Sequence, residues 1–276
     1  RKLAFHDPLT LLANRSLFWN RVEHALALAQ RTTQRVAVMF LDLDNFKNVN
    51  DSLGHDAGDR LLQAAAQRLV KSTRPSDTVA RLGGDEFAIL LEGIGGDLDV
   101  ERIATPISAA FNRPLLLDGR EIEATASIGV ACSRPGDDAE QLLRNADIAM
   151  YNAKAAGKAR LVVFQPHMQE QLHDRLRLEQ DIDRGLALDE FFLEFQPVVD
   201  LTSRELLGVE ALLRWNHPRR GVVMPADFIP IAEESGRIVE LGRRVLVEAC
   251  SQVRAFSESI PAGTGLRVAV NISGRH

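Results

Sequence analysis

The chain has 276 residues, 45% of them hydrophobic and 26% charged, the composition of an ordinary globular protein with one large or two medium domains. Its formal net charge of −5 argues against a general nucleic-acid binder, which would be basic. A nucleotide substrate remains compatible with that charge, because a metal ion can neutralise phosphates locally.

In chain order, "HDPLTLLANRSLFWNRVEHALALAQ" begins with capping chemistry at Asp7 and Asn14 and predicts an amphipathic helix to about residue 30. "RVAVMFLDLD" (35–44) is apolar and β-branched and ends in acids, as a buried central strand would. "GHDAGDRLLQAAAQRLVKST" (54–73) predicts a helix with Leu61, Leu62, Ala65, Leu69 and Val70 inward. "DTVARLGGDEFAILLEG" (77–93) reads as two antiparallel strands around a Gly-Gly turn. A helix disturbed near Pro106 follows, then one strand over 120–133, a helix over 138–156 stopped by Gly157, and a closing strand to Phe164. Helices alternating with strands around one hairpin indicate an α/β (α+β) layer with a mixed sheet.

Residues 165–188 are polar with alternating charge and read as a connector helix. Beyond them the pattern restarts as strand, strand, helix, helix, strand, with the Pro-rich "NHPRRGVVMPADF" as a loop. The expected division is therefore 1–164, a connector over 165–188, and 189–276. Cys132 and Cys250 lie far apart without metal-like spacing, which rules out a disulfide scaffold and suits a reducing, cytoplasmic setting. No apolar run is long enough to span a membrane, so this chain itself is expected to make no membrane contact, whatever anchor a longer parent carries.

The acids carry the chemistry. Asp42 lies at the carboxyl end of the first strand, where ligands bind in open α/β sheets, and Asp44 shares its face if the strand persists. An EF-hand reading of D-x-D fails, because the loop's sixth position is Lys47 and no Glu stands at its twelfth. If the hairpin packs beside the first strand, Asp42, Asp85 and Glu86 can converge. Converging acids repel, and a divalent cation is the natural compensation. Hard oxygen donors without His or Cys suggest Mg²⁺ or Mn²⁺. Gly83 and Gly84 would let a phosphate or sugar approach the backbone, with Lys47, Lys154 and Lys158 as phosphate clamps. His55 is better read as a helix N-terminal residue than as a metal ligand, since no second His stands at ligand spacing.

"DPLTLLANR", "DLDNFKNVNDSLGHDAGD", "RLGGDEFAILL", "TASIGVA" and "ADIAMYNAKAAGKAR" occur in family order over residues 3–164. With these motifs the first half resembles the GGDEF domain, the diguanylate cyclase family. The resemblance implies condensation of two GTP into cyclic di-GMP with loss of two pyrophosphates, by two domains that face each other in a homodimer. It implies Asp42, Asp85 and the Leu43 carbonyl as metal ligands. Glu86 would be a metal-proximal acid or would help to activate the 3'-hydroxyl. Asn50 and Asp59 would read guanine, and Lys47, Lys154 and Lys158 would hold phosphates. Arg74 and Asp77 of "RPSD" would form an inhibitory site for the product. Leu11 departs from the family pattern, which has Gly there.

Residues 190–273 are similar to the start of an EAL domain, the cyclic di-GMP phosphodiesterase family, through "EFQPVVDL", "GVEALLRWNHPRRGVVMPADFIPIAEESGRI" and "VAVNIS". The resemblance implies Glu210 and Asn271 as metal ligands, and Gln196 and Arg214 as contacts to the dinucleotide. It also implies a TIM-like barrel, which takes about 250 residues. The expectation is thus an incomplete barrel and hydrolytic site in this chain, a piece of a longer protein. The competing readings are an active cyclase, a regulatory module that binds GTP or cyclic di-GMP, and a parent whose net output is hydrolysis.

Overall fold

The computed structural model describes residues 4–32, 34–111, 113–117, 120–258 and 266–274. The chain forms two compact units, 1–170 and 171–276. Among the described residues no helix is long and apolar enough to cross a membrane.

The first unit opens with α1 (Arg15–Ala29) and β1 (Arg35–Leu43), then α2 (Phe46–Leu53) and α3 (His55–Ser72). The hairpin β2 (Thr78–Gly83) and β3 (Glu86–Ile94) follows, then α4 (Asp97–Ala110) and the short pair β4 (Leu115–Leu117) and β5 (Arg120–Ile122). β6 (Ala126–Cys132), α5 (Ala139–Ala155) and β7 (Leu161–Val163) close it. The five-stranded sheet has the order β2-β3-β1-β6-β7. Its pairs are antiparallel except β6 with β7, which α5 joins as a crossover.

The two-residue period of a strand sorts this sheet into two faces. Ala37, Met39, Leu41 and Leu43 of β1, Phe87, Ile89 and Leu91 of β3, and Ala126, Ile128 and Val130 of β6 enter one core. Leu61, Leu62, Ala65 and Leu69 of α3 and Val100, Ala104 and Ile107 of α4 meet them there. The intervening positions turn to the opposite face, on which α1 and α5 pack. Asp42 and Glu86 fall in that second set.

Asn14 caps α1, its side chain accepting from the Leu17 N–H at 3.0 Å. Asp138 caps α5 through the Gln141 N–H at 2.7 Å. His55 is the first residue of α3. Three expectations for this unit need correction. The strand expected over 120–133 is two, with a break at 123–125, because Thr125 gives its carbonyl and its hydroxyl to Asp44. Val70 is 52% exposed rather than inward: the inward stripe of α3 is complete without it. Asp44 does not extend the strand face of Asp42, since β1 ends at Leu43.

Leu11 adopts φ 61° in a turn whose Asp7 and Leu11 main chains are hydrogen-bonded, and it is 76% exposed. The backbone therefore keeps a left-handed conformation with a side chain that resists it. Leu11→Gly removes a conformational cost of about 1–2 kcal/mol, offset by about 0.5–1 kcal/mol of added unfolded-chain entropy. We expect a small net gain in stability, read as a higher urea midpoint at unchanged slope.

The second unit contains most of α6 (Pro166–Ala187), then β8 (Phe191–Val199), β9 (Leu206–His217), β10 (Gly221–Val223), α7 (Pro225–Glu234), α8 (Ile238–Glu258) and β11 (Arg267–Val270). β9 is central, antiparallel to β8 and β10 and parallel to β11. β10 lies within the stretch expected to be wholly loop. Despite its polar sequence, α6 buries Leu178, Ile182 and Leu186 beside Trp215 and Phe228. Asp181 and His217 are buried together, Asp181 Oδ2 lying 2.9 Å from His217 Nε2, with Arg184 and Arg219 on the same carboxylate. The described residues hold one β-α-β crossover, β9 to β11, and form an open sheet rather than a closed barrel.

Candidate active site

The hairpin tip is built by Gly83 and Gly84, at φ 146° and 50°. A Cβ on either would meet nothing within 4 Å, so the glycines serve backbone conformation and leave the surface open. Arg81 holds the tip: its Nε and Nη2 donate to the Gly84 carbonyl at 3.0 and 2.7 Å. Its Nη1 contacts both oxygens of Asp7, at 3.2 and 3.1 Å. The N-terminal turn and the hairpin are thereby latched together.

Burial pushes the Asp7 carboxyl up, but the Thr10 hydroxyl and N–H and the Arg81 guanidinium outweigh it and hold its pKa below the ordinary carboxylate value. A carboxylate with a depressed folded pKa adds stability above its unfolded pKa, near 3.9. That stability is lost as pH falls through the lower folded value. Asp7→Asn is therefore expected to lower the melting temperature at neutral pH and to flatten its decline below about pH 4.

Asp42 and Glu86 are directly opposed partners of β1 and β3. Asp85 lies beside them, its carbonyl accepting from the Leu43 N–H at 3.3 Å. Sheet parity aims Asp42 at α5, where Lys154 Nζ meets its Oδ2 at 2.6 Å. Glu86 is aimed at α1, where Arg15 lies 3.6 Å from its Oε2. Burial raises the Asp42 pKa; Lys154 opposes this, and Asp85 and Asp44 add to it. The backbone thus brings the three predicted acids to one place, with Asp42 paired to Lys154 and Glu86 to Arg15. Among the described residues no three acidic, His or Cys side chains are gathered as a metal cluster.

Asp44 has a structural task. It is buried and accepts from Ser127 Oγ at 2.6 Å, Thr125 Oγ1 at 2.8 Å and the Ala159 N–H at 3.0 Å. The Ala159 bond draws the loop after α5 toward the end of β1. Lys158, at φ 63°, donates from Nζ to Asn45 Oδ1 at 2.9 Å. Two of the three predicted phosphate lysines therefore reach the end of β1, and Lys47 stands exposed on α2. Among the described residues the side-chain oxygen of Asn50 has no hydrogen-bond partner, and it is buried. It lies against Gly58, where a Cβ would come within 1.9 Å of it. Gly58 lets α2 approach α3 closely and sets Asn50 beside Asp59, which is exposed.

Arg74 and Asp77 form a tight turn. The Asp77 carboxylate accepts from the Arg74 N–H at 2.9 Å, and the Arg74 carbonyl accepts from the Asp77 N–H at 3.0 Å. The turn is thus stabilised through Arg74's main chain, and its side chain stands exposed.

In the second unit Glu210 opposes Gln196 on β8 and Ala269 on β11. Asn271 Nδ2 donates to Glu210 Oε1 at 2.8 Å. Arg214, on the Glu210 face of β9, pairs with Glu194 at 2.7 Å. Reading residues singly misses Arg15 and Arg81 and gives Asp7 only a capping role, because their contacts arise only when separate elements assemble. Arg81 alone had a signal, its place two residues before the Gly-Gly.

The family model for the diguanylate cyclase GGDEF domain matches residues 4–160. The chain belongs to the GGDEF family. An EAL domain model matches residues 179–276, so a GGDEF domain is followed by EAL sequence, a pairing of domains of cyclic di-GMP metabolism. The chain is 41% identical over 274 residues to the bifunctional diguanylate cyclase/cyclic di-GMP phosphodiesterase MucR of Pseudomonas aeruginosa, matching 99% of this chain and 39% of MucR. It is 37% identical over 276 residues to the cyclic di-GMP phosphodiesterase PdeR of Escherichia coli, matching 100% of this chain and 41% of PdeR. The chain thus spans only about two fifths of the length of these relatives.

Among solved structures, the GGDEF domain of TpbB (YfiN) from Pseudomonas aeruginosa superposes with a TM-score of 0.59 at 40% identity, over 61% of this chain and 99% of that one. The GGDEF domain of DgcB from Caulobacter crescentus, in complex with c-di-GMP, gives 0.54 at 30% identity, over 59% and 97%. These likenesses lie within the GGDEF half. Enzymes of the GGDEF and EAL families generally use divalent metal ions.

Proposed function

We propose that the GGDEF half is a diguanylate cyclase, which condenses two GTP into cyclic di-GMP and releases two pyrophosphates. The observation that carries this reading is the pairing of Asp42 with Glu86 across β1 and β3, with Asp85 adjacent and the cation Lys154 already at Asp42. The donors are all hard oxygens, which fits Mg²⁺ or Mn²⁺. Asp42, the Leu43 carbonyl, Asp85 and Glu86 would hold the ion, which supplies charge neutralisation and Lewis acidity at the triphosphate. Lys154 and Lys158, with Lys47, take the phosphates, and Gly83 and Gly84 leave room for them. Glu86 is the acid placed to draw the proton from an attacking 3'-hydroxyl. Asp59 accepts the N–H groups of guanine and Asn50 complements the base edge, a pattern that adenine does not match. Each domain holds one GTP, so turnover needs two chains facing each other.

The test is incubation with GTP and Mg²⁺ at several protein concentrations, with cyclic di-GMP resolved by chromatography. Product that rises more than linearly with protein supports a cyclase that works as a dimer. GTP binding without product supports a regulatory module instead. Arg74 and Asp77 are proposed as the product-inhibition site, with the exposed guanidinium taking phosphate or guanine. Arg74→Ala is expected to extend the linear phase of product formation as cyclic di-GMP accumulates.

The Glu210–Asn271 contact favours a second reading for the EAL half, in which the pair binds the metal of a cyclic di-GMP phosphodiesterase and Gln196 and Arg214 hold the dinucleotide. Hydrolysis by the parent protein, and its loss in Glu210→Ala, is the measurement that decides it.

A further inference from the structure

A cleft of about 340 Å³ opens beside the hairpin tip and is lined by Arg15, Trp19, Glu86, Glu140 and Asp147 among others. The proposed chemistry has no use for Asp147. It stands on α5 seven residues before Lys154, two helical turns, and so on the same side of that helix. Its carboxyl lies in the field of two cations. Desolvation by the cleft walls outweighs the opposing pull of Lys154 and then Arg15 and leaves its pKa above the ordinary carboxylate value. Each of these cations holds one acid of the candidate centre, Lys154 at Asp42 and Arg15 at Glu86.

We propose that Asp147 is a positioning carboxylate for nucleotide loading, keeping Arg15 and Lys154 in place when Glu86 and Asp42 turn to the metal. The inference rests on the cyclase reading of the same site. The two acids and two cations pair off, Asp42 with Lys154 and Glu86 with Arg15. A metal held by both carboxylates would leave both cations in need of new partners beside a divalent charge. Lys154 is expected to find a phosphate, while Arg15 has none assigned to it. Asp147 is a carboxylate that shares the cleft with Arg15 and lies in the field of both cations. Its charge offsets the repulsion that would otherwise oppose the metal, and its place on a rigid helix fixes where the two side chains can go. Because it acts through Arg15 and Lys154, its effect falls on loading rather than on the chemical step.

The experiment uses Asp147→Asn and Asp147→Glu in the whole chain. It reads the binding of a fluorescent, non-hydrolysable GTP analogue against Mg²⁺ concentration, and KM and kcat for GTP. Asp147→Asn is expected to raise the Mg²⁺ midpoint about tenfold, the low end of the range for residues that support metal ligands. It is expected to raise KM more than it lowers kcat. Asp147→Glu is expected to restore most of the binding, and both variants should melt as the wild type does. An Asp147→Asn midpoint equal to that of the wild type, with normal wild-type binding, overturns the positioning role alone. Equal losses in both variants with lowered melting temperatures also overturn it, since they mark a role in folding. A wild type that neither binds the analogue nor turns over GTP overturns the cyclase reading itself, and the positioning role falls with it.

Discussion

Asp85→Ala and Glu86→Ala are each expected to reduce cyclic di-GMP formation by about a thousandfold or more while the fold survives. Phosphoryl transfer asks a protein mainly for positioning and charge neutralisation, so losing a metal-binding or proton-accepting carboxylate removes most of what it supplies. The fold should tolerate both changes. Both side chains sit at a hairpin tip outside the core, and the Asp85 carbonyl that accepts from Leu43 is main chain and remains. Glu86→Ala also removes the contact to Arg15, a 3.6 Å pair between side chains 44% and 69% exposed, which contributes little to stability. The check is turnover beside a melting curve, with Asp51→Ala on the exposed side of α2 as the control. Full activity in either hairpin variant would sink the assignment of that acid.

The same hairpin shows what the sequence makes legible. Two apolar runs around Gly-Gly admit few arrangements, and an apolar run ending in acids beside them reads as the neighbouring strand. The family motifs then supply Lys154, Lys158, Asn50 and Asp59, which carry no distinguishing signal singly. The break at 123–125 was hidden because its cause is distant. Thr125 leaves the strand to serve Asp44, 81 residues earlier in the chain. Val70 was hidden by composition: an apolar residue at the edge of a helical stripe looks like core until the stripe's width is known. Arg15 and Asp147 were hidden more deeply. Their part depends on which face of the sheet Asp42 and Glu86 take, and that parity is fixed by the opposite core, where Met39, Leu41, Phe87 and Ile89 must all point one way. The polar site is thus a consequence of apolar packing on the far side of the same strands.

That dependence leads to the second large effect, at a residue that touches no ligand. Gly129 of β6 lies on the face covered by α5. A Cβ there would stand 2.0 Å from the Met150 nitrogen and 2.3 Å from the Ala146 oxygen. Both atoms are helix backbone, so no rotamer change relieves the clash, and α5 must lift from the sheet or β6 must bend. Ala146, Ala149 and Ala153 are fully buried along this helix, and a shift large enough to admit a methyl group loosens their contacts too. Overpacking of this kind costs about 1–3 kcal/mol, occasionally more, and contact with backbone on a rigid element places Gly129→Ala at the upper end. The same displacement carries Lys154 away from Asp42, since α5 holds one and β1 the other. Gly129→Ala is therefore expected to lower the melting temperature by several degrees and to weaken GTP binding as well, whereas Leu11→Gly raises stability without touching the site. A Gly129→Ala protein that melts and binds nucleotide as the wild type does would show that α5 is free to move over β6, and that the Asp42–Lys154 contact does not depend on how closely helix and strand pack.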